Sequence, residues 1–202
     1  LDHTVVDLCS QVRRATQDAS NAALREDLAL AEAVIGSVAD IQESARSIRC
    51  QAEGLVARQQ PVAQDLRQLL TAQRHAAHLE GMGVLAGRMA KLTRRRYPRT
   101  VVPHEVRGVV ADMAGLTDRL MRMLGEALSA GKVSYPGVLV EIHNQVNHLN
   151  EEMQAIVRSP AWPHDVAAAI DMSMLSRDFQ RLAEHSLEIA AGVDYVATGQ
   201  SA

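Results

Sequence analysis

The chain has 202 residues, 47% of them apolar but only five aromatic (Tyr97, Tyr135, Trp162, Phe179 and Tyr195), and it carries a net charge of −3. Its length is enough to bury a real core, as one large domain or as two subdomains. The charge excludes a global positive field that would draw in DNA or anionic lipid, and the scarcity of aromatics excludes the stacking platforms of a single-stranded nucleic-acid binder.

The chain is rich in Ala, Leu, Arg, Gln, Glu and Met, which favour helix, and poor in the aromatic residues that favour strands, so the predicted fold is all-α. Six helices are predicted in chain order, at 2–25, 27–58, 60–96, 104–130, 135–158 and 162–197. All six prolines (Pro61, Pro98, Pro103, Pro136, Pro160 and Pro163) fall where these patterns stop or start. The first helix carries Val5-Val6 and Ala23-Leu24, and a short link at Arg25-Glu26-Asp27 leads into the second. Gln59-Gln60-Pro61 separates the second from the third, whose core-facing stripe is Leu69, Ala72, Ala76, Leu79, Ala86, Met89 and Thr93. Gly81, Gly83 and Gly87 interrupt that helix, at about 1 kcal/mol each relative to Ala. They imply close approach of another helix, of this chain or of a second protein, with local destabilising mobility as the alternative. Third and sixth helices of this length would each exceed ~50 Å.

After the hinge Tyr97–Pro103, the fourth helix repeats the first at an offset of 104 residues: Val109-Val110 and Ala127-Leu128 stand where Val5-Val6 and Ala23-Leu24 stood. The segment Gly131 to Pro136 leads to the fifth helix, and Ser159 to Pro163 to the sixth. There the stripe of the third helix recurs at an offset of 100, as Ala169, Met172, Ser176, Phe179, Ser186, Ile189 and Val193, with Asp65 and Asp165 four residues ahead of each. A carboxylate there suits the positive end of a helix. Short links make consecutive helices antiparallel. The expected architecture is therefore two tandem three-helix bundles, residues 1–98 and 103–202, related by a pseudo-twofold repeat.

Signatures of catalysis are missing. There is no glycine-rich phosphate loop, G-x-S-x-G, H-E-x-x-H or E-x-x-H, so no catalytic residue set is assigned. No apolar run approaches the roughly 18 residues of a membrane span, and no secretory leader is visible. Cys9 and Cys50 stand far apart outside any C-x-x-C, which reads as reduced, cytosolic thiols acting as small buried hydrophobes.

The run Arg58-Gln59-Gln60-Pro61-Val62-Ala63-Gln64-Asp65-Leu66-Arg67 resembles the signature of the PhoU family. Arg181-Leu182-Ala183-Glu184-His185, running into Tyr195-Val196-Ala197-Thr198-Gly199, is similar to that family's closing helix, and the resemblance spans residues 5–199. Trp162-Pro163-His164 and Ala90-Lys91-Leu92-Thr93-Arg94 are similar to actinobacterial members. The resemblance implies two three-helix bundles and a cytoplasmic negative regulator of the phosphate-starvation response, without chemistry of its own. It would link a phosphate ABC transporter, through its ATPase subunit, to a sensor histidine kinase. Homodimers are common in such proteins.

Some members hold metal on E-x-x-x-D, once per half, since carboxylates four apart share a helix face. The matching positions here read Glu80-Gly81-Met82-Gly83-Val84 and Gln180-Arg181-Leu182-Ala183-Glu184, each keeping one carboxylate. His143, Asn144, Asn147 and His148 stand where the family carries aspartates. These changes weaken an oxygen site for Mg²⁺, Ca²⁺ or iron, and imidazole would favour Zn²⁺. A metal-binding protein is thus an alternative requiring Glu80, Glu184, His143 and His148 to converge; an ordinary polar surface is the simpler reading, and His75 and His78 fall under the same choice. No cofactor is required. The basic run Arg88, Lys91, Arg94, Arg95, Arg96 and Arg99 either complements the negative pole of the third helix or, through Arg94, Arg95, Arg96 and Arg99, docks an acidic partner. A divergent relative serving another partner, or an unrelated helical module, completes the alternatives.

Overall fold

Prolines, glycines and carboxylates set the ends of six α-helices in a computed structural model of the chain, which describes residues 2–59 and 63–199. They are α1 (Asp2–Arg25), α2 (Leu28–Gln59), α3 (Ala63–Arg96), α4 (His104–Ala130), α5 (Pro136–Arg158) and α6 (Val166–Thr198), with no strand among the described residues. Residues 60–62, which carry the expected link between α2 and α3 and the middle of the quoted signature, lie outside the described residues.

Several of these boundaries have a local cause. Glu26 adopts φ +60°, and Asp27 then caps α2 by accepting from Leu30 N at 2.9 Å. Helix α4 ends on Gly131 at φ +65°, whose N–H returns to the Ala127 carbonyl, and Pro136 opens α5 at its first turn. The sixth helix starts at Val166 instead of the expected 162. Asp165 is its cap, accepting from Ala168 N at 2.7 Å, and residues 159–162 spend their hydrogen bonds in a turn, with Trp162 N on the Ser159 carbonyl.

Helices α1, α2 and α3 pack on one another, as do α4, α5 and α6; among the described residues, the helices of the two halves meet as α1 against α4 and α3 against α6. The two stripes read from the repeat match in burial position by position. Leu69 and Ala169 are half-buried, and the other six pairs, Ala72/Met172 through Thr93/Val193, are buried in both halves. The outer helices α2 and α5 each lie against only the other two helices of their own bundle.

The glycine expectation resolves within the chain. A Cβ at Gly83 would stand 2.6 Å from Ile41 Cγ2, and one at Gly87 2.6 Å from Val38 Cγ2, so the close neighbour is α2. A second protein is not what these two glycines admit. The cysteines divide: Cys9 is buried, as expected, but Cys50 is exposed on the outer helix α2. No helix among the described residues is long and apolar enough to cross a membrane.

Candidate interaction face

The seam between α3 and α6 brings together charged and titratable side chains from both halves. Arg88 donates to Asp178, through Nε to Oδ2 at 3.0 Å, and Arg95 donates to Asp171. Farther along, a Cβ at Gly81 would lie 3.5 Å from His185 Nε2, and one at Gly199 3.6 Å from the Arg67 guanidinium. In all four pairs the two residue numbers add to the same total, and the α3 members are spaced by seven or fourteen. That is an antiparallel, coiled-coil-like register between the halves. The α1–α4 seam behaves the same way. Arg13 grips Asp118 with two hydrogen bonds, 2.8 and 3.1 Å, and Arg107 reaches the Leu24 carbonyl.

Asp171 and Asp178 are buried, and a carboxylate out of water is tolerable only when paired. Asp171 takes a second arginine, Arg96, at 2.6 Å. These two acids were not singled out in the sequence. The legible signal was their seven-residue spacing beside the core-facing stripe of α6, mirrored by the same spacing of Arg88 and Arg95.

Three histidines sit on the same seam. His78 and His185 face each other with Nδ1 atoms 2.9 Å apart and rings edge-on, 5.2 Å between centroids. Burial lowers the pKa of both, countered in part by Glu188, and so favours the neutral rings, in which one Nδ1–H can donate to the other Nδ1. His75 is 6% exposed, and burial pushes its pKa down to about 4. Its Nε2 has no hydrogen-bond partner in the structure and presses on Gly192, where a Cβ would stand 2.3 Å away. His75 is thus a core histidine, accommodated by a glycine.

The candidate metal residues have other engagements. Glu80 is ion-paired with Arg49 of α2, and Val84, where the second carboxylate would stand, is an exposed valine. In the other half, Gln180 accepts from Asn150 Nδ2 at 3.2 Å, within a net in which Ser176 Oγ donates to Asn150 at 2.8 Å, while Glu184 is exposed. His143 lies against Asn147 at 3.4 Å on α5, and His148 and Asn144 line a shallow depression between α4 and α5. No three His, Cys, Asp or Glu side chains among the described residues are grouped to hold a metal ion, so Glu80, Glu184, His143 and His148 do not converge. An oxygen-ligated cation does not fit this donor set. An arginine occupies one position, and a neutral amide network the other.

The basic run divides by partner. The Arg96 side chain is only 11% exposed and clamps Asp171, whereas Arg95, bound to the same carboxylate, is 64% exposed. Arg94 lies 3.6 Å from Glu32, both half in water, and Arg99 is exposed beyond the helix end. The cations thus both tie α3 to the second half and stud an exposed surface.

A sequence profile described as the PhoU domain matches residues 5–93. The chain is 33% identical over 199 residues to the phosphate-specific transport system accessory protein PhoU homolog 2 of Mycobacterium tuberculosis, covering 98% of this chain and 93% of that protein. It is also 33% identical over 201 residues to PhoU homolog 1 of Mycobacterium leprae, with 98% and 90% covered. Among solved structures, PhoU from Pseudomonas aeruginosa matches with a TM-score of 0.86 at 19% identity, covering 98% of this chain and 95% of that one. The phosphate transport system regulatory protein PhoU from Streptococcus pneumoniae matches with the same TM-score at 18% identity, covering 99% and 94%.

Proposed function

The chain belongs to the PhoU family, and from that premise we propose that it is a cytoplasmic regulator of phosphate uptake and phosphate-starvation signalling. It acts by binding, as an adaptor between the ATPase subunit of a phosphate ABC transporter and a sensor histidine kinase, and it turns over no substrate. The observation that carries this reading is near-full-length identity of 33% to mycobacterial phosphate-specific transport system accessory proteins. Supporting it, the polar side chains of the seams are spent on holding the two halves in register rather than on a reactive centre. Arg94 and Arg95 at the end of α3, and Arg99 just beyond it, are cations open to partners, whereas Arg96 is committed inward. Self-association into a homodimer belongs to the same reading.

The test is a binding measurement with the purified transporter ATPase subunit and the cytoplasmic part of the kinase, each with and without inorganic phosphate. Capture of at least one component, altered by phosphate, is expected. Capture of neither would overturn the assignment.

A further inference from the structure

A groove of about 200 Å³, lined by α3 and α6 alone, runs along their seam near the C-terminal end of α3. Its apolar floor, Met89, Leu92 and Leu175, is recessed and almost wholly buried. One wall carries Arg88, Lys91 and Arg95 on successive turns of α3, and the other carries Met174. From Met174, Ile170 and Val166 continue along α6 at four-residue steps, 45%, 53% and 75% exposed, as an uncovered apolar ridge.

The charge here is in surplus. Asp171 and Asp178, at the bottom, are shared among Arg88, Arg95 and Arg96, while Lys91 has no ion-pair partner among the described residues. Arg181, exposed on α6, stands close enough to Arg88 to act on it electrostatically. The internal repeat shows that the fold does not demand these cations. One hundred residues on, the positions of Arg88, Lys91 and Arg95 hold Glu188, Ala191 and Tyr195 on an equivalent helix. Exposure of an apolar side chain is duplicated, since Leu70 answers Ile170; the positive wall belongs to one half only.

We propose that this groove seats an acidic amphipathic helix of a partner protein. The helix rests its apolar edge on the Ile170–Met174 ridge, points one side chain toward the recessed Met89–Leu92–Leu175 floor, and sets its carboxylates against Lys91, Arg95 and Arg181. A helix ridge can enter a furrow between two helices, whereas a bilayer surface cannot descend to a recessed floor. A second copy of this chain, docked face to face about a twofold axis, would set one cationic wall against another. Rim cations of this kind act on encounter and specificity, and the exposed Val166–Ile170–Met174 ridge supplies the apolar contact area.

The inference rests on the adaptor reading, because a component of the phosphate system supplies the helix. It is tested by the affinity of the full chain for the purified ATPase subunit and kinase domain, with Lys91→Glu/Arg181→Glu and Ile170→Asp/Met174→Asp beside Val140→Asp on α5 as control. Each double variant should weaken binding about tenfold or more with its helical melting curve preserved, the control should change it less than about twofold, and wild-type affinity should fall with added salt. Wild-type binding that both double variants retain overturns the groove and leaves the adaptor reading standing. Absence of wild-type binding to either component removes both. Loss, in the double variants, of a wild-type self-dimer seen by sedimentation, or of binding to phosphatidylglycerol vesicles, would assign the groove to a second copy or to lipid and would also overturn the proposal.

Discussion

At the scale of single residues, His75 is the side chain whose surroundings depart most from its ordinary chemistry. Buried and neutral, with a folded pKa of about 4 against 6.5 in the open chain, it resists protonation that the unfolded state accepts. The unfolded chain therefore binds more protons between these values, and stability falls as pH drops below 6.5, levelling off near 4. Denaturant unfolding should lose on the order of 2 kcal/mol between pH 7 and pH 5 from this group alone. His78 and His185, whose pKa values are also lowered by burial, act in the same direction. Replacing His75 with Leu should flatten the profile; an unchanged profile would mean that His75 is hydrated or charged in the folded protein. Gly192 is the necessary counterpart, because any Cβ would meet the imidazole.

Among the elements, α2 approaches α3 closely at two glycines of α3. Ile41 and Val38 occupy the space where side chains at Gly83 and Gly87 would stand. Gly83→Leu is expected to force α2 outward and cost about 1–3 kcal/mol or more, measured as a lower midpoint of thermal unfolding. The effect is intramolecular, so it should appear in the isolated chain with no partner present. A variant that melts like the parent would place α2 farther from α3 than the Ile41 contact does. The helix-helix distance is the property that small residues in a helix otherwise rich in good formers encode.

For the whole molecule, the two bundles share one apolar core and are tied in addition by a charged register. Asp178 and Asp171 on α6 and Asp118 on α4 each receive arginines from the other half. Asp178→Ala strands Arg88, whose side chain is 43% exposed, so the expected cost is moderate, about 1–2 kcal/mol. Because the seam is shared, calorimetry should show that cost as a downward shift of one common transition. Two separated transitions, with only one displaced, would mean that the halves melt independently. The pseudo-twofold relation is broken where these charges lie: Asp178 has His78 as its counterpart and Arg88 has Glu188. The duplicated backbone thus carries two chemically different ends.

Patterns within a single helix were readable directly, because helical periodicity and end chemistry are local. The six helices, the prolines at their borders, the paired stripes of α3 and α6 and the role of Asp165 at a helix start all follow from spacing along the chain. The start of α6 at Val166 was missed because a capped turn competed with the pattern after Pro163. Tertiary structure decided which face meets which. Arg96 and Arg95 share Asp171, although one is buried by the contact and the other open to water; Glu80 is bound by Arg49, and Gln180 by Asn150. Those pairings join residues 30 to 76 positions apart. A charged side chain on a helix has the same local pattern whether its partner is solvent, a metal or an arginine of the facing helix. Only packing distinguishes them, because the energy lies in the distance to the partner and in the water removed between them.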